Sequence, residues 1–360
     1  MQREITAPGP LLDGRGRLCE TGWARSLVKA YDRKAIRAGA LRIKEWDYYC
    51  ALSDGFGAAF TMADNGYMGM ISAVLVDLSA AAEISASIMV LCPLGSLNAP
   101  ASSESGDFRY EKKGMALRFL RRPGERVIEI DWPELRAVSR DGSAKRAGLA
   151  NIPSALDGRR GLSGRLVLSQ PPMDSMVIAT PFREKETAFY YNHKVNCMPV
   201  SGSLDFGGKA IQFTPADSSA VLDWGRGVWT YSNTWYWASC SSRLEGKPFG
   251  FNLGYGFGDT SAASENTIFY GGTAHKLGGI RFTIPPDSFL KPWRMASDDG
   301  RFDMGFTPIL DRASDTNLLL LRSNQHQVFG RYSGRAVLDS GRELRVENLI
   351  GFAEKVVNRW

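Results

Sequence analysis

What most constrains this chain is the rhythm of its apolar residues. Leu41 and Ile43, then after a phase shift Trp46, Tyr48, Cys50 and Leu52, fall on one face at a period of two. Asp54-Gly55-Phe56-Gly57 closes that run, and residues 58–62 and 69–77 read as the next two strands. Between them Asp64-Asn65-Gly66 supplies a hairpin turn of the kind that needs positive φ. From Phe108 onward the strand signals return about every ten residues, the spacing of a barrel or sandwich. Met115, Leu117 and Phe119 alternate, as do Ile128, Ile130 and Trp132, and then Leu166 and Leu168.

The second half keeps the style and adds aromatics. Residues 204–213 make a hairpin across Gly207-Gly208, and residues 228–240 read as one strand rich in Trp and Tyr. Ile280 to Ile284 alternates, and the chain turns a last time at Asp339-Ser340-Gly341-Arg342. One short helix is expected over 24–35, and a long loop over the glycine-rich stretch 139–164. A parallel sheet needs a crossover of a dozen or more residues between strands, usually helical, and no series of such segments is present. The fold class is therefore all-β. No unit of 20–50 residues repeats, which argues against a propeller or solenoid.

Composition narrows the function. The 360 residues carry 44 Lys and Arg against 38 Asp and Glu, a net charge of +6. The basic residues are spread along the chain and lie beside acidic ones, as in Arg183-Glu184-Lys185-Glu186, so a nucleic-acid partner is not expected. The five cysteines (19, 50, 92, 197 and 240) are odd in number and form no C-x-x-C pair. They read as reduced thiols of a cytoplasmic protein. The most apolar stretch, 68–97, carries Asp77 and Glu83, so no transmembrane segment is expected. With three histidines and no phosphate-loop, zinc-protease or nucleophile-elbow motif, neither a metal nor another cofactor is expected.

Reactive groups concentrate in two aromatic-rich segments, 189–202 and 220–237. In a strand with alternating faces, Asn192 and Lys194 point one way and Tyr191 and His193 the other. Asp223 follows three apolar residues. Buried, its carboxylate needs Arg226, Lys194 or His193 as a partner, or its pKa rises. A raised carboxyl beside a histidine, walled by Trp224, Trp229, Tyr231, Trp235 and Trp237, is equipped for general acid–base work. The alternative is an Asp–Arg pair that ties down a turn among packing tryptophans. Farther on, Glu265, Asn266 and His275 are candidates to reach the same cavity, with Glu265 and His275 one hairpin apart.

Several blocks together carry a resemblance. They are Thr6 to Asp13, Gly22-Trp23-Ala24-Arg25, Trp46-Asp47-Tyr48-Tyr49, Tyr190 to Lys194, Leu222 to Gly227, and Gly351-Phe352-Ala353-Glu354. They resemble, nearly end to end, a family catalogued as a domain of unknown function, number 2804. More distantly, the order of these blocks is similar to the double-calycin superfamily, which includes carotenoid hydratases and other hydratases and cyclases. That resemblance implies two lipocalin-like barrels or half-barrels packed together, divided here at 1–190 and 191–360. It implies a large apolar ligand held without a cofactor, with Asp223 as the acid and His193 assisting. Unlike the hydratases, this chain places Trp224 directly after Asp223 and adds Arg226. The expected function is an acid–base hydratase, lyase, isomerase or cyclase acting on a mostly apolar or aromatic small molecule. The rival is a carrier for a lipid-like ligand.

Overall fold

The computed structural model describes residues 2–112, 114–136, 158–318 and 321–359. In chain order the opening segment holds β1 (Gly9–Pro10), β2 (Gly22–Ala24) and β3 (Lys29–Ala30). A meander follows as β4 (Ile43–Leu52), β5 (Phe56–Asp64), β6 (Met68–Asp77) and β7 (Ala82–Leu91). Next come β8 (Phe108–Lys112), β9 (Met115–Arg122), β10 (Glu125–Arg136), β11 (Arg160–Ser169) and β12 (Met176–Phe182). The 22-residue β13 (Lys185–Phe206), β14 (Lys209–Phe213) and β15 (Ser219–Val228) complete the first large sheet.

The second sheet is built from β16 (Ser232–Leu244), β17 (Lys247–Tyr255), β18 (Thr267–Tyr270), β19 (Thr273–Lys276) and β20 (Ile280–Thr283). It is completed by β21 (Trp293–Ser297), β22 (Phe302–Leu318), β23 (Leu321–Val337) and β24 (Glu343–Arg359). The first sheet has 13 strands, its main path running β7-β6-β5-β4-β15-β13-β11-β10-β9-β8. The second has nine, in the order β19-β18-β17-β16-β24-β23-β22-β21-β20. Neighbours pair antiparallel, so each sheet presents alternate residues to opposite faces. The protein is all-β, two curled antiparallel half-barrels packed together.

Alternation explains where the cores lie. Ala238, Cys240, Phe249, Phe251 and Tyr332 turn inward to fill the second half-barrel. Trp237, Phe352 and Phe329, also on the second sheet, join the core of the first. Tyr48 of β4 meets Trp237 and Phe352 edge-on, with ring centroids 5.9 and 6.4 Å apart. Each edge-to-face pair contributes about 0.5–1.5 kcal/mol beyond its buried area.

A bulge in β13 fastens the two sheets. Pairing with β15 shifts register between Val195 and Met198, and Cys197 takes φ 61°. The extra residue turns Asn196 toward the second sheet. There its side-chain amide lies 2.9 Å from Ser239 Oγ and 3.2 Å from the Phe251 carbonyl. Ser241 Oγ accepts from the Cys197 N–H at 3.0 Å.

Three local expectations change. The segment 24–35 is not a helix: it holds the short β3 and a single 3-10 turn over Arg33–Ala35. Residues 228–240 are not one strand, because the chain leaves the first sheet at Val228 and enters the second at Ser232. Of the loop expected over 139–164, residues 139–157 lie outside the described residues, and Arg160–Ser169 is a strand between β10 and β13. Position 190, where the sequence divides the domains, falls inside the continuous β13. Among the described residues no helix is long and apolar enough to cross a membrane.

Candidate functional site

Register sorts the reactive residues into two groups. Between β13 and β15, Lys194 lies opposite Asp223, His193 opposite Trp224, Asn192 opposite Gly225, and Tyr191 opposite Arg226. Between β15 and β4, Asp223 lies opposite Tyr48, Gly225 opposite Trp46, and Arg226 opposite Glu45. One face therefore carries Tyr190, Asn192, Lys194, Asp223, Trp46 and Tyr48, and it looks toward the second sheet. The other carries His193, Trp224, Arg226 and Asp47 and looks into the first half-barrel.

On the inter-sheet face, Lys194 Nζ lies 2.9 Å from Asp223 Oδ2, and Asn192 donates to Asp223 Oδ1 at 2.6 Å. The ammonium also sits 3.8 Å from the centre of the Trp237 ring, a cation–π contact. Trp237 is oriented in turn by Asn252, whose side-chain oxygen accepts from the indole N–H at 2.7 Å. Trp229 packs edge-on against Trp46, Tyr190 and Trp235, and Phe257 stacks on Tyr190 at 4.9 Å. Trp224 stands on the other face, edge-on to Tyr31 and Tyr191, and Tyr231 is 46% exposed. Neither belongs to the pocket wall expected from the sequence.

Two more carboxyls come to this place. Glu265 is buried, and among the described residues neither of its oxygens is in a well-formed hydrogen bond, though Asn252 and Tyr190 stand close enough to act on it. Burial pushes its carboxyl up to about 7, with Lys194 opposing the rise and Asp223 adding to it. Glu354 accepts from the Trp235 indole at 2.9 Å and is likewise pushed up to about 7 by burial. The Trp235 bond and Lys194 hold it down, and the Asp223 charge raises it. Tyr190 carries its hydroxyl into the same space beside Glu265, and burial, with the Glu265 charge adding to it, holds it well above the usual phenol range. The backbone is cut to fit. A Cβ at Gly254 would lie 2.0 Å from Glu265 Oε1, and one at Gly225 would lie 2.1 Å from the Trp46 ring.

Arg226 does not touch Asp223. It pairs with Asp47 at 2.9 Å and donates to the backbone oxygens of Trp46, Gly225 and Pro100. His193 does not meet Asp223 either. Its ring nitrogens contact Ser103 Oγ at 2.6 Å and Ser175 Oγ at 2.7 Å, and burial pushes it down to about 3. Asn266 acts as a backbone clamp, accepting from the Gly254 N–H and donating to the Gly278 carbonyl. His275 faces away from Glu265: it lies opposite Ile268 and beside Asp339 at 3.1 Å. The next residue, Lys276, adds its charge to that of Lys194 in opposing the rise at Glu265.

Glu354, Tyr190, Asn252, Trp46 and Tyr48 are absent from the sequence-derived site. The reasoning applied to Asp223, a carboxylate following three apolar residues, applies equally to Glu354 after Gly351-Phe352-Ala353. Among the described residues no group of three or more His, Cys, Asp or Glu is placed to hold a metal ion.

Comparisons with known proteins follow the architecture. A crystal structure of a putative AttH from Nitrosomonas europaea superposes with a TM-score of 0.52 at 11% identity, over 92% of this chain and 98% of that one. Kievitone hydratase from Nectria haematococca superposes with a TM-score of 0.48 at 9% identity, over 93% and 96%. This chain shares the fold of the putative AttH. No curated protein sequence matches significantly. The family model of a domain of unknown function, DUF2804, matches residues 2–360, and the chain belongs to that family.

Proposed function

We propose that the chain is a cofactor-free enzyme that moves a proton on a mostly apolar or aromatic small molecule, in an addition, elimination or isomerisation at the inter-sheet site. The observation that carries this reading is Glu265, a buried carboxyl pushed up to about 7, beside Asn252 and Tyr190 in an aromatic-walled space and with neither oxygen in a well-formed hydrogen bond. A group whose pKa lies near the working pH both gives and takes protons efficiently. Glu354, likewise raised to about 7, is a second acid–base group in the cluster.

In this reading Asp223 is not the proton donor. Paired with Lys194 and bonded by Asn192, it supplies a fixed negative charge that helps hold Glu265 and Glu354 protonated. The faces of Trp46, Trp229 and Trp235 stabilise positive charge developing on a substrate beside them. The five cysteines are free, which supports a reducing compartment such as the cytoplasm.

The test needs no prior substrate. The protein is incubated in heavy water with a panel of aromatic alkenes, unsaturated ketones and their hydrates, and deuterium uptake at carbon is read by mass spectrometry. The wild type should label at least one compound, and Glu265→Gln should lose at least a hundredfold in rate while still binding it. Compounds that bind without labelling would make the protein a carrier, and full labelling by Glu265→Gln would remove the proposed acid.

A further inference from the structure

One end of the first half-barrel presents large apolar side chains to solvent. Leu91 is 84% exposed, Leu41 53%, Met89 46% and Leu94 44%. Single exposed leucines are ordinary, whereas a contiguous group marks a surface for a partner. These side chains come together. Across the β6–β7 pair Met89 lies opposite the half-buried Met70, and Leu91 opposite the half-buried Met68, all on one face. Leu41 stands in a 3-10 turn, Ala40–Arg42, packed on the turn between β5 and β6: a Cβ at Gly66 would lie 2.8 Å from its backbone. The residues after β7 bond to the same turn. Cys92 donates to the Tyr67 carbonyl at 2.9 Å, and Leu94 to the Gly66 carbonyl at 3.2 Å.

The tips are held in place. Buried Asp64 accepts from the Gly66 N–H at 2.9 Å and the Gly95 N–H at 2.7 Å, which fastens the turn to the loop after β7. Leu94 itself takes left-handed backbone, φ 52°, a conformation that bulky residues rarely adopt.

Charge indicates what meets these tips. Residues 65–76 and 84–103 carry no charged side chain. Beside them, residues 33–44 hold Arg33, Lys34, Arg37, Arg42 and Lys44 and no acid. Lys34 and Arg37 are exposed. The neighbouring acids are engaged: Glu45 with Arg33 and Tyr31, Asp64 with the two glycine N–H groups, and Asp32 with the Lys34 N–H that it caps. Apolar tips with a basic flank suit a bilayer with anionic headgroups, which takes the leucines beneath the headgroups and the cations at their level. A second copy docked on this patch about a two-fold axis would set the basic flanks against each other. Arg42, in the turn that carries Leu41, donates to the Trp229 carbonyl at 2.7 Å, so the patch adjoins the wall of the inter-sheet site.

We propose that this end of the first half-barrel is a peripheral membrane-binding surface. Leu41, Met89, Leu91 and Leu94 enter the interface of an anionic bilayer, and Lys34 and Arg37 engage its headgroups.

Co-sedimentation of the full chain with vesicles tests the proposal, using phosphatidylcholine alone and phosphatidylcholine mixed with phosphatidylserine. The wild type should bind the mixed vesicles at least tenfold more tightly than the neutral ones. Leu91→Ser combined with Leu94→Ser, and Lys34→Glu combined with Arg37→Glu, should each weaken that binding at least tenfold at an unchanged Tm. Glu265→Gln should bind as the wild type does, which separates this surface from the proposed chemistry. Absence of vesicle binding, equal binding to both vesicles, or variants that bind like the wild type would each overturn the assignment. Light scattering that shows a dimer, dissolved by the two leucine substitutions, would give the patch to a second copy and overturn it as well.

Discussion

Arg226 closes on Asp47 at 2.9 Å, and Asp223, three positions earlier on the same strand, is left to Lys194 at the same distance. The two pairs occupy opposite faces of β15 because an odd separation along a strand changes face. This decodes the block Asp223-Trp224-Gly225-Arg226-Gly227. Its first, third and fifth residues serve the inter-sheet site, as a charge, a floor for Trp46 and a floor for Trp229. Its second and fourth fill the first half-barrel.

Arg226→Met should be costly. It leaves Asp47, 5% exposed, without its cation, and breaking a buried pair in this way costs about 3–5 kcal/mol. Adding Asp47→Asn should recover most of that loss. Urea unfolding at neutral pH checks both, and a single-variant loss below about 1 kcal/mol would mean that the pair is not carrying the buried charge.

Glycine at 225 should be far less replaceable than glycine at 305. A Cβ at Gly225 meets the Trp46 ring at 2.1 Å, whereas at Gly305 the nearest atom is the Ser333 carbonyl oxygen at 3.5 Å. Gly225→Ala should cost about 1–3 kcal/mol and shift the tryptophan fluorescence as Trp46 moves. Gly305→Ala should stay within about 0.5 kcal/mol of wild type. Equal effects would contradict the packing described.

His193 gives a pH dependence of definite sign. Its folded pKa, about 3, lies below the ordinary imidazole value of 6.5, so the unfolded chain binds a proton that the folded one refuses. The stability that it contributes is complete above about pH 6.5 and is lost on acidification toward pH 3, by about 1.4 kcal/mol per pH unit. Subtracting the stability curve of His193→Gln from that of wild type should reveal this slope. Curves that run parallel would show that the ring protonates normally in the folded protein.

Much of the fold was legible because a period of two and its turn residues are local signals. Gly66 at φ 79° and Gly207-Gly208 at φ 56° and 84° sit in the turns where the sequence asks for them. The site was legible in part. Asp223, Lys194, Asn192, Trp235, Trp237 and Glu265 do converge between the sheets, yet His193 and Arg226 point the other way. Sequence separation alone gave the faces of β13 correctly, but it could not give the phase of β13 against β15. That phase pairs Lys194, and not His193, with Asp223. Glu354 arrives from the last strand through sheet pairing more than a hundred residues away, which no local pattern announces.

The central claim is that a carboxyl between the two sheets is protonated for much of its time at neutral pH. A carbon-13 NMR titration of glutamate side-chain carboxyls tests it directly. The account predicts two resonances with midpoints of about 7, from Glu265 and Glu354; one disappears in Glu265→Gln, and both move down in Asp223→Asn, because the Asp223 charge helps to raise them. A spectrum in which every glutamate titrates in the ordinary carboxylate range, or one that Glu265→Gln leaves unchanged, would contradict it.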